Sequence, residues 1–231
     1  MALTVSDIQS RIASIVDQDS TAPTEGGDDW NLRLEFMNMA QRDWAETFKW
    51  QTLYKEFNTL ATQSTGNTSI ALPEDFRQLT SYPRITADGT NTADYTEIKP
   101  QSKDQYGGSD KYIYILGNPE DGYFMKVQTG RAPNVLVSGA SVYVPYLAVP
   151  GSLASPTDKS QIQDPQYLVA RTVAYLWESR EDARFPQQKA EADKILAKMV
   201  VNENVHNVAS AYGEVRTVEE TRHNFRWGRN S

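Results

Sequence analysis

DWNLRLEFMNMAQRDWAETFKW, residues 29–50, is uninterrupted by proline or glycine and leads on to the phrase LPEDF at residues 72–76. About 22 residues at about 1.5 Å each make a helical rod of about 33 Å. At about 100° per residue, Trp30, Leu34, Met37, Ala40, Trp44 and Phe48 fall on one stripe, while Leu32, Phe36, Met39 and Trp50 form a second ridge. A surface helix needs one apolar face, so two faces predict a helix covered twice. Either it is central within one bundle, or one ridge meets a neighbouring subunit. Asp28 or Asp29 is the expected N-cap, and both acids suit the positive end of the helix.

Outward from this rod, residues 4–17 read as a short amphipathic helix with Ser6 as its cap and Ile8, Ile12, Ile15 and Val16 on one face. The polar stretch 18–27 is a loop, long enough for the two helices to pack antiparallel. Beyond Trp50 the period shortens, and strands are expected at 53–61, 68–72, 79–85, 95–98, 111–116, 122–128 and within 135–149. Turn signals separate them, which predicts an antiparallel sheet or small sandwich. After a linker at 151–163, Asp164-Pro165 is a helix start with the cap and N1 proline in order, and Pro186 opens another helix. The second of these should face inward with Ala192, Ile195, Leu196, Met199 and Val200.

The fold class predicted is therefore α+β: an antiparallel helical bundle (1–52 and 164–211) with an inserted antiparallel β region (53–150) and an extended C-terminal tail (212–231). In that tail Arg222, Arg226 and Arg229 alternate with Phe225 and Trp227. One reading is a frayed terminus; the other is a docking segment, since Arg and Trp dominate interface energetics when buried.

Composition narrows the function. The chain has 231 residues, is 39% hydrophobic and has a net charge of −7, as expected of a folded protein with ample core. Residues 1–52 hold four bases against nine acids, and an acidic body of this kind lacks the basic stripe of a nucleic-acid grip. The lack of cysteine excludes disulfides and thiolate ligands and fits a reducing compartment. The N-terminus shows no secretory signal pattern, no apolar run is long enough to span a membrane, and the sequon at Asn67 has no glycosylation context. The histidines, His206 and His223, stand apart from any ligand-spaced partner, so no metal is expected. Neither a phosphate loop nor a nucleophile elbow occurs, and the acid pairs Glu74/Asp75 and Glu120/Asp121 sit in turns where acids are usually solvated. No catalytic residues and no cofactor are assigned. Tyr82, Tyr95, Tyr106, Tyr112, Tyr114, Tyr123, Tyr143 and Tyr146 crowd the β region, which reads as sheet packing and protein contact or, alternatively, as a carbohydrate- or receptor-binding face.

The order of these features resembles the head-to-tail adaptor (connector) proteins of tailed bacteriophages. The resemblance is carried by the Ile-rich first helix, by LEFMNMAQRDWAETFKW with Asn38 and Ala40 before an aromatic helix end, and by SIALPEDF at 69–76 followed by a strand. It covers about the first third closely. It implies a structural virion protein, made in the host cytoplasm and located at the head–tail junction. Twelve copies would form a ring under the portal protein, extend the DNA channel, help retain the genome and seat downstream tail or nozzle proteins. DNA would pass without specific binding. Arg222, Phe225, Arg226, Trp227 and Arg229 are then the candidate portal-docking residues. Trp30, Leu34, Phe36, Met37, Met39, Trp44, Phe48 and Trp50 are the candidate core or subunit interface.

Overall fold

Thr4 opens the first helix, two residues before the expected Ser6. In the computed structural model its hydroxyl accepts from the Asp7 amide at 3.2 Å while the Asp7 carboxylate accepts from the Thr4 amide at 3.0 Å, so two orphan donors are satisfied at once. Ser6 lies inside the first turn, and Gln9, three residues on, is buried and donates to the Trp30 carbonyl instead. Residues 3–60, 69–86, 95–97, 99–100, 111–129, 132–133 and 141–212 are described.

The chain divides into two compact units, one running to Gln51 and resuming at Ser152, the other Thr52–Gly151. Among the described residues the first holds four α-helices: α1 (Val5–Val16), α2 (Asp28–Thr47), α3 (Pro165–Ser179) and α4 (Phe185–Tyr212). The described residues of the second form ten short strands, so the fold is α+β.

α3 is the helix on which the other three pack. Its Asp164 side chain caps the Gln166 amide and Pro165 takes the first position, where a missing N–H costs nothing. Tyr167 to Ala170, Thr172 to Ala174, Leu176 and Trp177 are all buried, so α3 is apolar on almost every side, as a central helix must be. α1 and α2 make their larger contacts with α3, and the ties between them are polar: Gln9 donates to the Trp30 carbonyl and Arg33 to the Asp17 carboxylate.

α2 stops at Thr47, three residues short of expectation. Its N-cap is Gly27, which lends no side-chain bond, and Asp28 and Asp29 lie in the first turn, where their charge still suits the helix end. At the other end Phe48 is extended, and Trp50 folds back to stack on Trp44 at 5.0 Å while its indole Nε1 donates to the Trp44 carbonyl at 2.6 Å. That carbonyl is one of the four a helix end leaves open, so the indole acts as a cap. Trp50 is therefore core, but not part of a second helical ridge.

In the second unit β1 (Tyr54–Leu60), β10 (Ser141–Ala148), β4 (Arg84–Thr86) and β5 (Tyr95–Glu97) form one sheet in that order, with β3 (Phe76–Leu79) also on β10. The other runs β2 (Ser69–Ala71), β8 (Gly122–Thr129), β7 (Lys111–Asn118), β6 (Lys99–Pro100), with β9 (Ala132–Pro133) also on β8. Pairing is antiparallel except for the short β6–β7 contact. Ile113 and Met125 of one sheet share a core with Phe76, Val142, Val144 and Tyr146 of the other, which makes the unit a small sandwich. Proline in a central strand would forfeit a ladder bond, but Pro145 falls between the β4 pairing at Val142–Tyr143 and the β3 pairing that begins at Tyr146. The β7–β8 hairpin needs Gly117, with φ +112°, because a side chain there would strike the Gly122 carbonyl.

Candidate functional site

The outward side of α2 is built by spacing. Asp28, Leu32, Glu35, Met39, Arg42 and Glu46 recur at three or four residues, and Leu32 is 37% exposed. The inward side buries Trp30, Arg33, Met37, Ala40, Gln41, Trp44 and Ala45. The candidate interface residues thus divide. Trp30, Met37, Trp44 and Trp50 are core, while Leu34, Phe36, Met39 and Phe48 are half-buried.

Beside Phe36 lies a knot of polar groups joining three helices. Arg171 on α3 donates twice to one oxygen of Asp43 on α2, at 3.1 and 2.8 Å, and the Tyr175 hydroxyl donates to the same oxygen. Asp193 on α4 stands 3.9 Å from the guanidinium, which also lies 4.8 Å over the Tyr175 ring. Phe36 packs on that ring at 5.8 Å. Burial, then the Asp43 contact, pushes Tyr175 up to about 12. Burial alone would lower the Arg171 pKa, but the Asp43 hydrogen bond and the Tyr175 and Asp43 charges together outweigh burial and raise it. Arginine at such a knot fixes planar, forked geometry rather than chemistry.

Residues 152–163, expected as a linker, are tied to the helical unit. The Asn38 side chain donates to the Leu153 carbonyl at 2.9 Å and accepts from its amide at 2.8 Å, clasping that residue's backbone. Ser160 donates to Gln41, and the first amides of α1, at Val5 and Ser6, donate to the Asp158 and Pro156 carbonyls. Asp158 caps the Ala154 and Ser155 amides, bonds that lower its pKa. Glu203, buried on α4, accepts from the Gln51 amide at 2.6 Å and from Gln163 at 3.1 Å. Sequence reading missed Glu203, although a signal exists: it stands four residues after Met199 on the inward face.

In the β unit LPEDF is the crossover between the sheets. The Leu72 amide donates to Tyr123 in one, and Asp75 serves the other: its carboxylate accepts from Lys55 at 2.6 Å and from Tyr146 at 2.9 Å, and its carbonyl from Val149. Asp75 is thus bonded rather than merely solvated as expected; Glu74, Glu120 and Asp121 are exposed. Burial and the Asp75 bond push Tyr146 up to about 12. Of the eight tyrosines, Tyr146 is core, Tyr114, Tyr123 and Tyr143 are half-buried and Tyr82 is exposed; the side chains of Tyr95, Tyr106 and Tyr112 lie outside the described residues.

Arg222, Phe225, Arg226, Trp227, Arg229 and His223 lie outside the described residues, as does the His206 side chain. Among the described residues no cluster of three or more His, Cys, Asp or Glu could hold a metal, and no helix is long and apolar enough to cross a membrane. The geometry offers exposed helical surface and long-range polar ties within the helical unit.

A family model described as SU10 adaptor protein matches residues 3–216, across both units. No curated protein matches the chain. Among solved structures, a chain of one described as "Neck of empty GTA particle computed with C6 symmetry" aligns at 12% identity with a TM-score of 0.30, covering 76% of this chain and 77% of that one.

Proposed function

This chain belongs to the SU10 adaptor protein family, and on that premise we propose that it joins the portal to the tail as a ring of copies. The family is a structural one, of bacteriophage head-to-tail connectors. In this role the ring, with twelve copies, extends the DNA channel, helps retain the packaged genome and seats the downstream tail or nozzle proteins. The protein then resides at the head–tail junction of the virion.

The observation that carries this reading is that the match spans both units, so the whole described architecture, not one motif, is the family's. The rigidity of the helical unit fits the role. A connector must keep its geometry while DNA moves past it, and the Asp43, Asn38 and Glu203 ties each join segments far apart in sequence. Net charge fits too: at −7, acids turned to the channel would repel a duplex and let it slide.

The portal-docking segment in this reading is the C-terminal Arg222, Phe225, Arg226, Trp227 and Arg229, whose arginine and aromatic content is that of interface hot spots. Co-sedimentation with portal rings tests it. The wild-type chain should travel with the ring, and the double variant F225A/W227A should bind at least about tenfold more weakly. Equal binding of both would remove the tail from the contact, and failure of the wild type to bind at any salt would remove the portal from the function. Duplex DNA at modest salt should show no measurable binding.

A further inference from the structure

We propose that copies of this chain join through a heterologous contact in which the outer face of α2 on one copy meets the outer face of α4 on the next. The proposal rests on the adaptor reading for its setting and names the surfaces that reading leaves open.

With α1, α2 and α4 packed around α3, both α2 and α4 keep a side turned away from the core. On α2 this side has Leu32 and Met39 among Asp28, Glu35, Arg42 and Glu46, while Phe36 turns towards Tyr175 of α3. On α4, Ala190, Lys194, Ala197 and Val201 recur at three or four residues, with Lys198 and Glu191 beside them. Val201 is 62% exposed, the most of any large apolar side chain among the described residues. A patch with an apolar middle and a charged rim is the anatomy of a protein interface.

Charge chooses the occupant. The α2 face carries three acids and one base, whereas the α4 face carries Lys194 and Lys198 against Glu191. Among the described residues, Glu35, Glu46, Lys194 and Lys198 have no ion-pair or hydrogen-bond partner within their own chain. Pairing α2 with α2 would set acid against acid, and α4 with α4 would set lysine against lysine. Pairing α2 with α4 satisfies both. Two different complementary faces on one subunit are what a heterologous contact requires, and such contacts close into rings when the rotation allows.

The test uses the full chain, alone at high concentration and on portal rings. A zero-length carbodiimide should form an intersubunit amide between a peptide holding Glu35 or Glu46 and one holding Lys194 or Lys198. Reversing either face, as E35K/E46K or K194E/K198E, should weaken self-association at least about tenfold with the helical circular dichroism unchanged. An equimolar mixture of the two variants should restore association, because each then meets an opposite charge on both sides. The proposal is overturned if the variants assemble like the wild type, if the mixture stays as weak as either alone, or if no such cross-link forms on or off the portal. The portal arm separates the two ideas. A wild type that cross-links α2 to α4 but ignores the portal upholds the contact and fails the adaptor reading. Reversed variants that load the portal as well as the wild type fail the contact alone.

Discussion

The helical unit and the β unit bury apolar surface with different amounts of polar help. In the first, Gln9, Asn38, Gln41, Asp43 and Glu203 each reach across from one segment to another far along the chain. In the second, backbone ladders do most of the joining, and the clearest side-chain hub is Asp75. Helices satisfy their own backbones, so how they sit on one another is set by side chains alone. Strands satisfy theirs through neighbours, so pairing already fixes their arrangement. The helical unit should therefore lose more from the loss of one long-range polar group than the β unit does.

The largest effect expected belongs to the packing beneath both. Trp44→Ala removes a fully buried indole and the stack that seats Trp50, and should cost about 3–5 kcal/mol in denaturant unfolding followed at the helical band. A loss under about 1 kcal/mol would mean that the aromatic end of α2 is not core. Next comes the comparison itself. Asn38→Ala deletes the clasp on Leu153 and should cost about 1–2 kcal/mol in the same measurement. Asp75→Asn keeps the shape at a site that is a third exposed, and should cost about 1 kcal/mol or less. The reverse order of these two losses would break the contrast between the units.

The smallest effect is one of titration. Tyr146 is held up near 12, mainly by burial and then by its bond to Asp75. Its folded value lies above the ordinary 10.0, so its contribution to stability is whole below pH 10 and is lost as the pH rises through about 12. Phenolate absorbance should show one late-ionising tyrosine fewer in Tyr146→Phe, with the late ionisation of Tyr175 retained. Ionisation of Tyr146 with the ordinary group near pH 10 would sever it from Asp75.

Much of this architecture is legible in the residues before any coordinates. Asp164-Pro165 marks the start of α3 because cap and proline both act locally, and the strand runs announce themselves by period and turn. What escapes is whatever depends on distance. No proline or glycine stands between Trp44 and Trp50, so the rod extends to Trp50 on paper, yet the stack and hydrogen bond of Trp50 on Trp44 accompany a helix that ends at Thr47. The stretch 152–163 has linker composition, and what ties it down is distant in sequence: Asn38 and Gln41 more than a hundred residues earlier, the first amides of α1, and Glu203 on α4. Thr4 beats Ser6 because Asp7 lies three residues after it, a local signal that was there to be read. The candidate surfaces were half visible: the apolar residues of α2 stand out, but which of them face outward depends on where α3 lies.

Assembly at the portal is tested most directly by native mass spectrometry of portal rings saturated with the full chain. A single stoichiometric complex with a fixed whole number of copies, twelve in this reading, is the predicted result. Portal rings that keep their own mass at every salt concentration would contradict it.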